Sequence, residues 1–167
     1  MTGQLGPESK RSWSVQLLIE VLEKALSLSR VADAERILKR ATAQVEQRIV
    51  AREPIDPKQL ATLSLAAARV SAESGDPTWG CWAAQVYRRV EHVPYVALVD
   101  KLTELSTRHP GEIAEAVDLL ATHCRGIDRR LSNDETEALA RLEQLRVSLS
   151  ESARQGGRDQ SPNPALS

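Results

Sequence analysis

Three histidines, His92, His109 and His123, and two cysteines, Cys81 and Cys124, are the side chains from which a metal centre or a nucleophilic pair would have to be drawn. Their spacing assembles neither. His123 and Cys124 are adjacent, so on a helix they point about 100° apart and cannot both ligate one ion without outside ligands. His92 falls in the junction Glu91-His92-Val93-Pro94 and His109 directly before Pro110, positions where a polar residue commonly caps or leaves a helix. A Cys-His nucleophile built on Cys81 or Cys124 would need a spatial neighbour that no local motif supplies. Carboxylates are plentiful, but Glu112 with Glu115 and Glu137 with Arg141 stand three and four residues apart, the pattern of a solvated helix face. The eight glycines are scattered, so no phosphate-cradling loop is formed. No catalytic residue, cofactor or metal site is therefore expected. An enzyme reading requires an unrecognised helical site, with a deep pocket of convergent polar groups.

Recognition chemistry has more to draw on. Arg88 and Arg89 form one basic cluster and Arg125, Arg129 and Arg130 another, and guanidinium forks match carboxylates or phosphates bidentately. The plainer role for such residues is to complement the negative end of a helix dipole. Trp13 opens a helix one residue after its cap, where an exposed indole would make a binding hot spot. Trp79, Trp82, Val86 and Val90 share a helical stripe that reads as core. The candidate partner-binding residues are thus Trp13, Arg88, Arg89, Arg125, Arg129 and Arg130.

The elements that must carry these side chains are helices. Residues 1–11 read as a flexible arm, 12–150 as a helical domain and 151–167, rich in Gly, Ser, Pro, Asn and Gln, as a disordered tail. Ser12 is placed to cap a first helix with Val15, Leu18, Ile19, Leu22 and Leu26 along one side, ending around 28–31. A second runs over 32–52, with Ile37, Ala41, Val45 and Ile49 inward and Arg36, Lys39, Arg40, Glu46 and Arg48 outward. Asp56-Pro57 and Asp76-Pro77 each set an acid before a proline at a helix start, predicting helices over 57–74 and 77–91, with Gly75 stopping the first. Pro94 and Pro110 open two more, to about Thr107 and Arg125, and Ser132 with Glu135 makes a capping box for a seventh that carries Ala138, Leu139, Leu142, Leu145 and Leu149.

Proline-marked starts at 57, 77, 94 and 110 make helix pairs recur roughly every 35 residues, the period of a helical-hairpin solenoid. Against the tetratricopeptide motif from Trp79, however, Trp82, Ala83 and Val86 occupy the places of Leu, Gly and Tyr. The expected fold is all-α, about seven helices in antiparallel hairpins, either a tetratricopeptide-like, α-solenoid-like right-handed array or a compact helical bundle. Composition agrees, because Phe is absent and the core must be filled by Leu, Val, Ile and Ala, the usual filling between packed helices.

Charge and cysteine usage narrow the setting. With 22 Lys and Arg against 23 Asp and Glu, the chain has no bulk field to hold nucleic acid or an anionic membrane. Its 167 residues are enough for a core without staples, so both cysteines read as free thiols in a reducing compartment. Met1 to Lys10 lacks the apolar stretch of a signal peptide, and a cytoplasmic location is expected.

The segment Ala32-Asp33-Ala34-Glu35-Arg36-Ile37-Leu38, a following Pro-Lys-Gln helix, Ser74-Gly75-Asp76-Pro77-Thr78-Trp79 and the Val93-Pro94 helix together resemble the helical region that accompanies forkhead-associated domains in bacterial signalling proteins. The resemblance spans roughly residues 31–125. It implies a protein-interaction role beside Ser/Thr kinase signalling. The phosphothreonine-reading domain of that family has no counterpart here, since the chain carries neither a β-rich segment nor the Gly-Arg loop that grips phosphate. Two functions follow as expectations: an adaptor or regulatory subunit that offers a groove to another protein, and a homo-oligomeric scaffold.

Overall fold

Local capping chemistry sets most of the helix limits. A computed structural model describes residues 7–159, with side chains described over 14–157, and contains seven α-helices, one 3-10 turn and, among the described residues, no strand. The helices are α1 (Pro7–Ser27), α2 (Val31–Val50), α3 (Pro57–Ser74), α4 (Thr78–Val86), α5 (Val96–Ser106), α6 (Pro110–Arg125) and α7 (Asn133–Asp159), with the 3-10 turn (Tyr87–Arg89) continuing α4. At α3 the Asp56 carboxylate accepts from the Lys58 amide at 3.1 Å, Pro57 takes the first helical position, and Gly75 ends the helix at φ +80°. This matches the sequence reading at both ends. The Ser132–Glu135 capping box also forms: the Glu135 amide donates to Ser132 Oγ at 3.2 Å, and the Ser132 amide donates to Glu135 Oε1 at 3.1 Å.

Several limits differ from the sequence expectation, by one or two residues at α2 and at the start of α4, and four of the differences have a physical reason. α1 begins at Pro7 rather than Ser12, because a proline fits the first turn of a helix and nothing between it and Trp13 breaks one. α7 runs on to Asp159 rather than stopping at Ser150. Its last described side chains, 151–157, are all exposed, so this end continues as a solvated helix without packing. Residues 1–6 and 160–167, the remainder of the expected arm and tail, lie outside the described residues. α4 gives way at Tyr87 to the tighter turn instead of reaching residue 91: Tyr87 is fully buried, and Val90 is already extended at φ −131°, ψ 161°, on the way to Pro94. α5 starts at Val96, two residues after Pro94, since the Pro94 ring is buried and Tyr95 supplies the first helical acceptor, to the Leu98 amide at 3.0 Å.

α1 packs on α2, α3 on α4 and α6 on α7, while α1, α3, α5 and α7 touch in series and α4 lies beside α6. α3 is the central element, in contact with α1, α2, α4 and α5. It therefore buries residues on nearly every side, Ala66, Ala67 and Ala68 in succession among them. Small side chains let the helices approach closely there. Two serines in this region are satisfied internally: Ser71 Oγ accepts from the Gly80 amide of α4 at 2.6 Å, and Ser64 Oγ lies 3.2 Å from the Tyr87 hydroxyl.

The inward face of α2 is centred on Ala34, Leu38, Ala41, Thr42 and Val45, with Ile37 and Ile49 only partly covered. Arg48, expected to point outward, is 9% exposed. Packing by both α1 and α3 widens the covered arc, and the Arg48 stem lies within it.

Candidate partner-binding surface

The structure distributes the sequence-selected residues instead of gathering them. Trp13 belongs to α1 by its backbone, but its side chain lies outside the described residues. Arg88 is exposed on the 3-10 turn and lines a shallow groove of about 370 Å³ with Glu46, Trp82 and Gln85. Arg89, its neighbour, is paired with Glu46 of α2. Burial pushes the Glu46 carboxyl up, but the hydrogen bonds from Arg89 and Trp82, with the Arg89 charge, outweigh it and hold its pKa below the usual value.

Trp79 and Trp82 meet edge to face, with ring centres 6.5 Å apart, and are half-buried. Their indole N–H groups donate to Glu35 at 3.3 Å and Glu46 at 3.0 Å, both on α2. The expected core stripe is thus a seam between α4 and α2 with polar edges; of its members only Val86 is fully buried.

The second basic cluster is largely engaged in holding the chain together. Arg125 stands 2.9 Å from Glu143 of α7. Arg129 clasps both Glu135 oxygens at 3.0 and 2.6 Å and donates to the Glu91 carbonyl at 3.0 Å, which ties the α6–α7 connection to the chain entering α5. Arg130 is exposed, and its carbonyl accepts from Arg129. Arg129 and Glu135 also border a groove of about 680 Å³ with Pro57, His92, Pro94 and Tyr95. The hydrogen bond from Arg129, then the Ser132 amide, lower the Glu135 pKa from its ordinary 4.5 to about 2 against the opposing effect of burial. A depressed carboxylate contributes stability that is present above pH 4.5 and is lost as the pH falls toward 2. Glu135→Gln should therefore unfold at a lower temperature than wild type at pH 6, with the gap closing by pH 2. A gap that stays constant across that window would mean that the ionised Arg129–Glu135 pair is not the source of the difference.

The thiols are poorly suited to attack. Burial, then Glu112 and Glu115, push Cys81 up, and burial pushes Cys124 up to about 11, so both remain protonated near neutral pH. His123 Nε2 lies 3.0 Å from the Val90 carbonyl, where it anchors the exit from the 3-10 turn. No three His, Cys, Asp or Glu side chains among the described residues are grouped to hold a metal ion.

One surface escaped the sequence reading. Three of the seven large apolar side chains exposed among the described residues are Leu17 and Val21 on α1 and Leu28 in the turn directly after it, whose amide still donates to the Lys24 carbonyl at 3.1 Å; at spacings of four and seven they make one line. Beside them a groove of about 510 Å³ runs between α1 and α2, lined by Val21, Lys24, Ala25, Leu28, Arg30, Asp33, Arg36, Ile37 and Arg40. The sequence held a signal for it, because the pairs Leu17-Leu18 and Val21-Leu22 make α1 apolar over a wider arc than its one core stripe.

Comparison of the chain with family models, curated proteins and solved structures gives no match. No described helix is long and apolar enough to cross a membrane.

Proposed function

We propose that this chain is a non-enzymatic interaction module, an adaptor or regulatory subunit that presents a helical surface to another protein. The observation that carries this reading is the exposed line of Leu17 and Val21 on α1 and Leu28 in the turn after it, half or more of each residue open to water beside a formed groove. Aligned apolar groups of this kind gain free energy when a partner covers them, whereas scattered ones are ordinary surface. Trp13, four residues ahead of Leu17, extends the same spacing in sequence. A setting beside bacterial Ser/Thr kinase signalling rests on the sequence resemblance, and a cytoplasmic location on the free thiols and the N-terminal sequence.

Val21→Gln with Leu28→Gln removes the apolar contact while keeping helix-compatible residues at exposed positions. The double variant should melt within a few degrees of wild type yet lose partners captured by the wild-type chain from its native cells. Retention of every captured protein by the variant would remove α1 from the reading. Light scattering separates the scaffold alternative, which requires a mass that rises with concentration.

A further inference from the structure

The charges that line the α1–α2 groove are mostly positive, four cations against one acid. Lys24 on α1, Arg30 at the start of α2, and Arg36 and Arg40 on α2 line it, all exposed, and its one acid, Asp33, is paired with Arg36. At about 100° per residue, Glu23 lies roughly 160° around α1 from Val21, on the other side of the helix, while Glu20 lies roughly 100° from Val21 and one turn before Lys24, at the edge of the apolar line and outside the groove lining. A chain with a net charge of −1 has thus concentrated cations along its exposed apolar line.

Resting on the interaction reading above, we infer that this groove receives an acidic amphipathic helix of another protein. Leu17 to Leu28 covers about 16 Å, three turns of helix at 1.5 Å per residue. The occupant sets apolar residues at spacings of three and four against Leu17, Val21, Leu28 and Ile37, and its flanking carboxylates meet Lys24, Arg30, Arg36 and Arg40. A second copy of this chain fits less well. A symmetric contact through this face would bring the same four cations against their own copies. The apolar line separates the site from a polyanion groove, where phosphate contacts alone would suffice.

The test uses the full chain and a fluorescein-labelled synthetic three-turn peptide with Leu at four positions of one face and Glu elsewhere. Two controls accompany it: the same peptide with Lys in place of Glu, and a labelled 12-base-pair DNA duplex. Fluorescence anisotropy should show the Glu peptide binding at least about tenfold more tightly than the Lys peptide. The affinity should fall about tenfold or more with Val21→Gln plus Leu28→Gln, and again with Arg36→Glu plus Arg40→Glu, and it should weaken with salt. Equal binding of the two peptides, tighter binding of the DNA, or self-association abolished by the Val21 and Leu28 changes would each overturn the inference. If the Glu peptide fails to bind while those two changes still strip captured partners from the chain, the acidic-helix assignment falls and the adaptor reading stands. If neither effect appears, the adaptor reading fails at this face as well.

Discussion

Gly80→Leu is expected to lower the stability of the chain by about 3 kcal/mol, a drop of roughly 6–12 °C in melting temperature for a domain of this size. Gly80 is buried on α4 where the helix passes between Ser71 of α3 and Leu105 of α5. A β-carbon built there falls 2.7 Å from Leu105 Cδ1 and 3.4 Å from Ser71 Oγ, and the Gly80 amide already donates to that hydroxyl. Alanine needs only the end of the Leu105 side chain to move, and it gains about 1 kcal/mol of helix propensity over glycine. Gly80→Ala should consequently stay within about 1 kcal/mol of wild type, while leucine has no volume to enter without separating α4 from α3 and α5. Gly111, in the first turn of α6, has nothing within 4 Å of the same construction, and Gly111→Ala should stabilise by about 0.5 kcal/mol. Urea unfolding of the three variants checks the order. A Gly80→Leu protein as stable as wild type would mean that α4 does not approach its neighbours this closely. Since α4 also carries Trp79 and Trp82 against α2, the glycine determines how the hairpins sit on one another as well as how tightly.

The limits of α3 and the start of α7 were legible because their causes are local. An acid before a proline, a glycine in the left-handed region and a serine three residues ahead of a glutamate act within one turn of chain. The break at Tyr87 was not, because it comes from burial of one ring by other helices, and the sequence from Cys81 to Glu91 contains neither glycine nor proline to mark it. Arg48 was misplaced for a related reason: periodicity gives the centre of an apolar face, but the width of the covered arc depends on how many helices pack around it. The arginines illustrate the same limit for the site. Clustering in sequence marked Arg125, Arg129 and Arg130 as available for recognition, yet Glu143 and Glu135 come from the next helix and already meet two of them. The α1 line has the opposite history. Leu17, Val21 and Leu28 stand outside the expected inward stripe of the first helix and have no role in the sequence reading, and only the packing of α2 and α3 against the other side of α1 shows that they stay exposed in one line.

Tyr87 and Ser64 offer the sharpest test of the interior, because the two halves of one hydrogen bond should differ in cost. Tyr87 heads the largest fully buried side chains, and burial, opposed by the Ser64 hydrogen bond, pushes its phenol up to about 12. Tyr87→Ala empties a ring-sized volume between α3, α4 and α6 and should cost about 3–5 kcal/mol. Tyr87→Phe keeps that volume. It also leaves Ser64 satisfied, since Ser64 Oγ donates to the Ala61 carbonyl at 3.1 Å, so the expected loss is below about 1 kcal/mol. Ser64→Ala is the more damaging deletion of the pair: it strands a buried phenolic hydroxyl with its hydrogen-bond partner removed, at about 1–3 kcal/mol. The order Tyr87→Ala, Ser64→Ala, Tyr87→Phe should therefore appear in chemical unfolding, and the double variant Ser64→Ala with Tyr87→Phe should recover most of the Ser64→Ala loss, because it removes the stranded group. Equal costs for Ser64→Ala and Tyr87→Phe would show that the phenol reaches water or another acceptor. The ring would then be no fixed pivot for the turn that carries Arg88 and Arg89 and leads the chain through Val90 to Pro94.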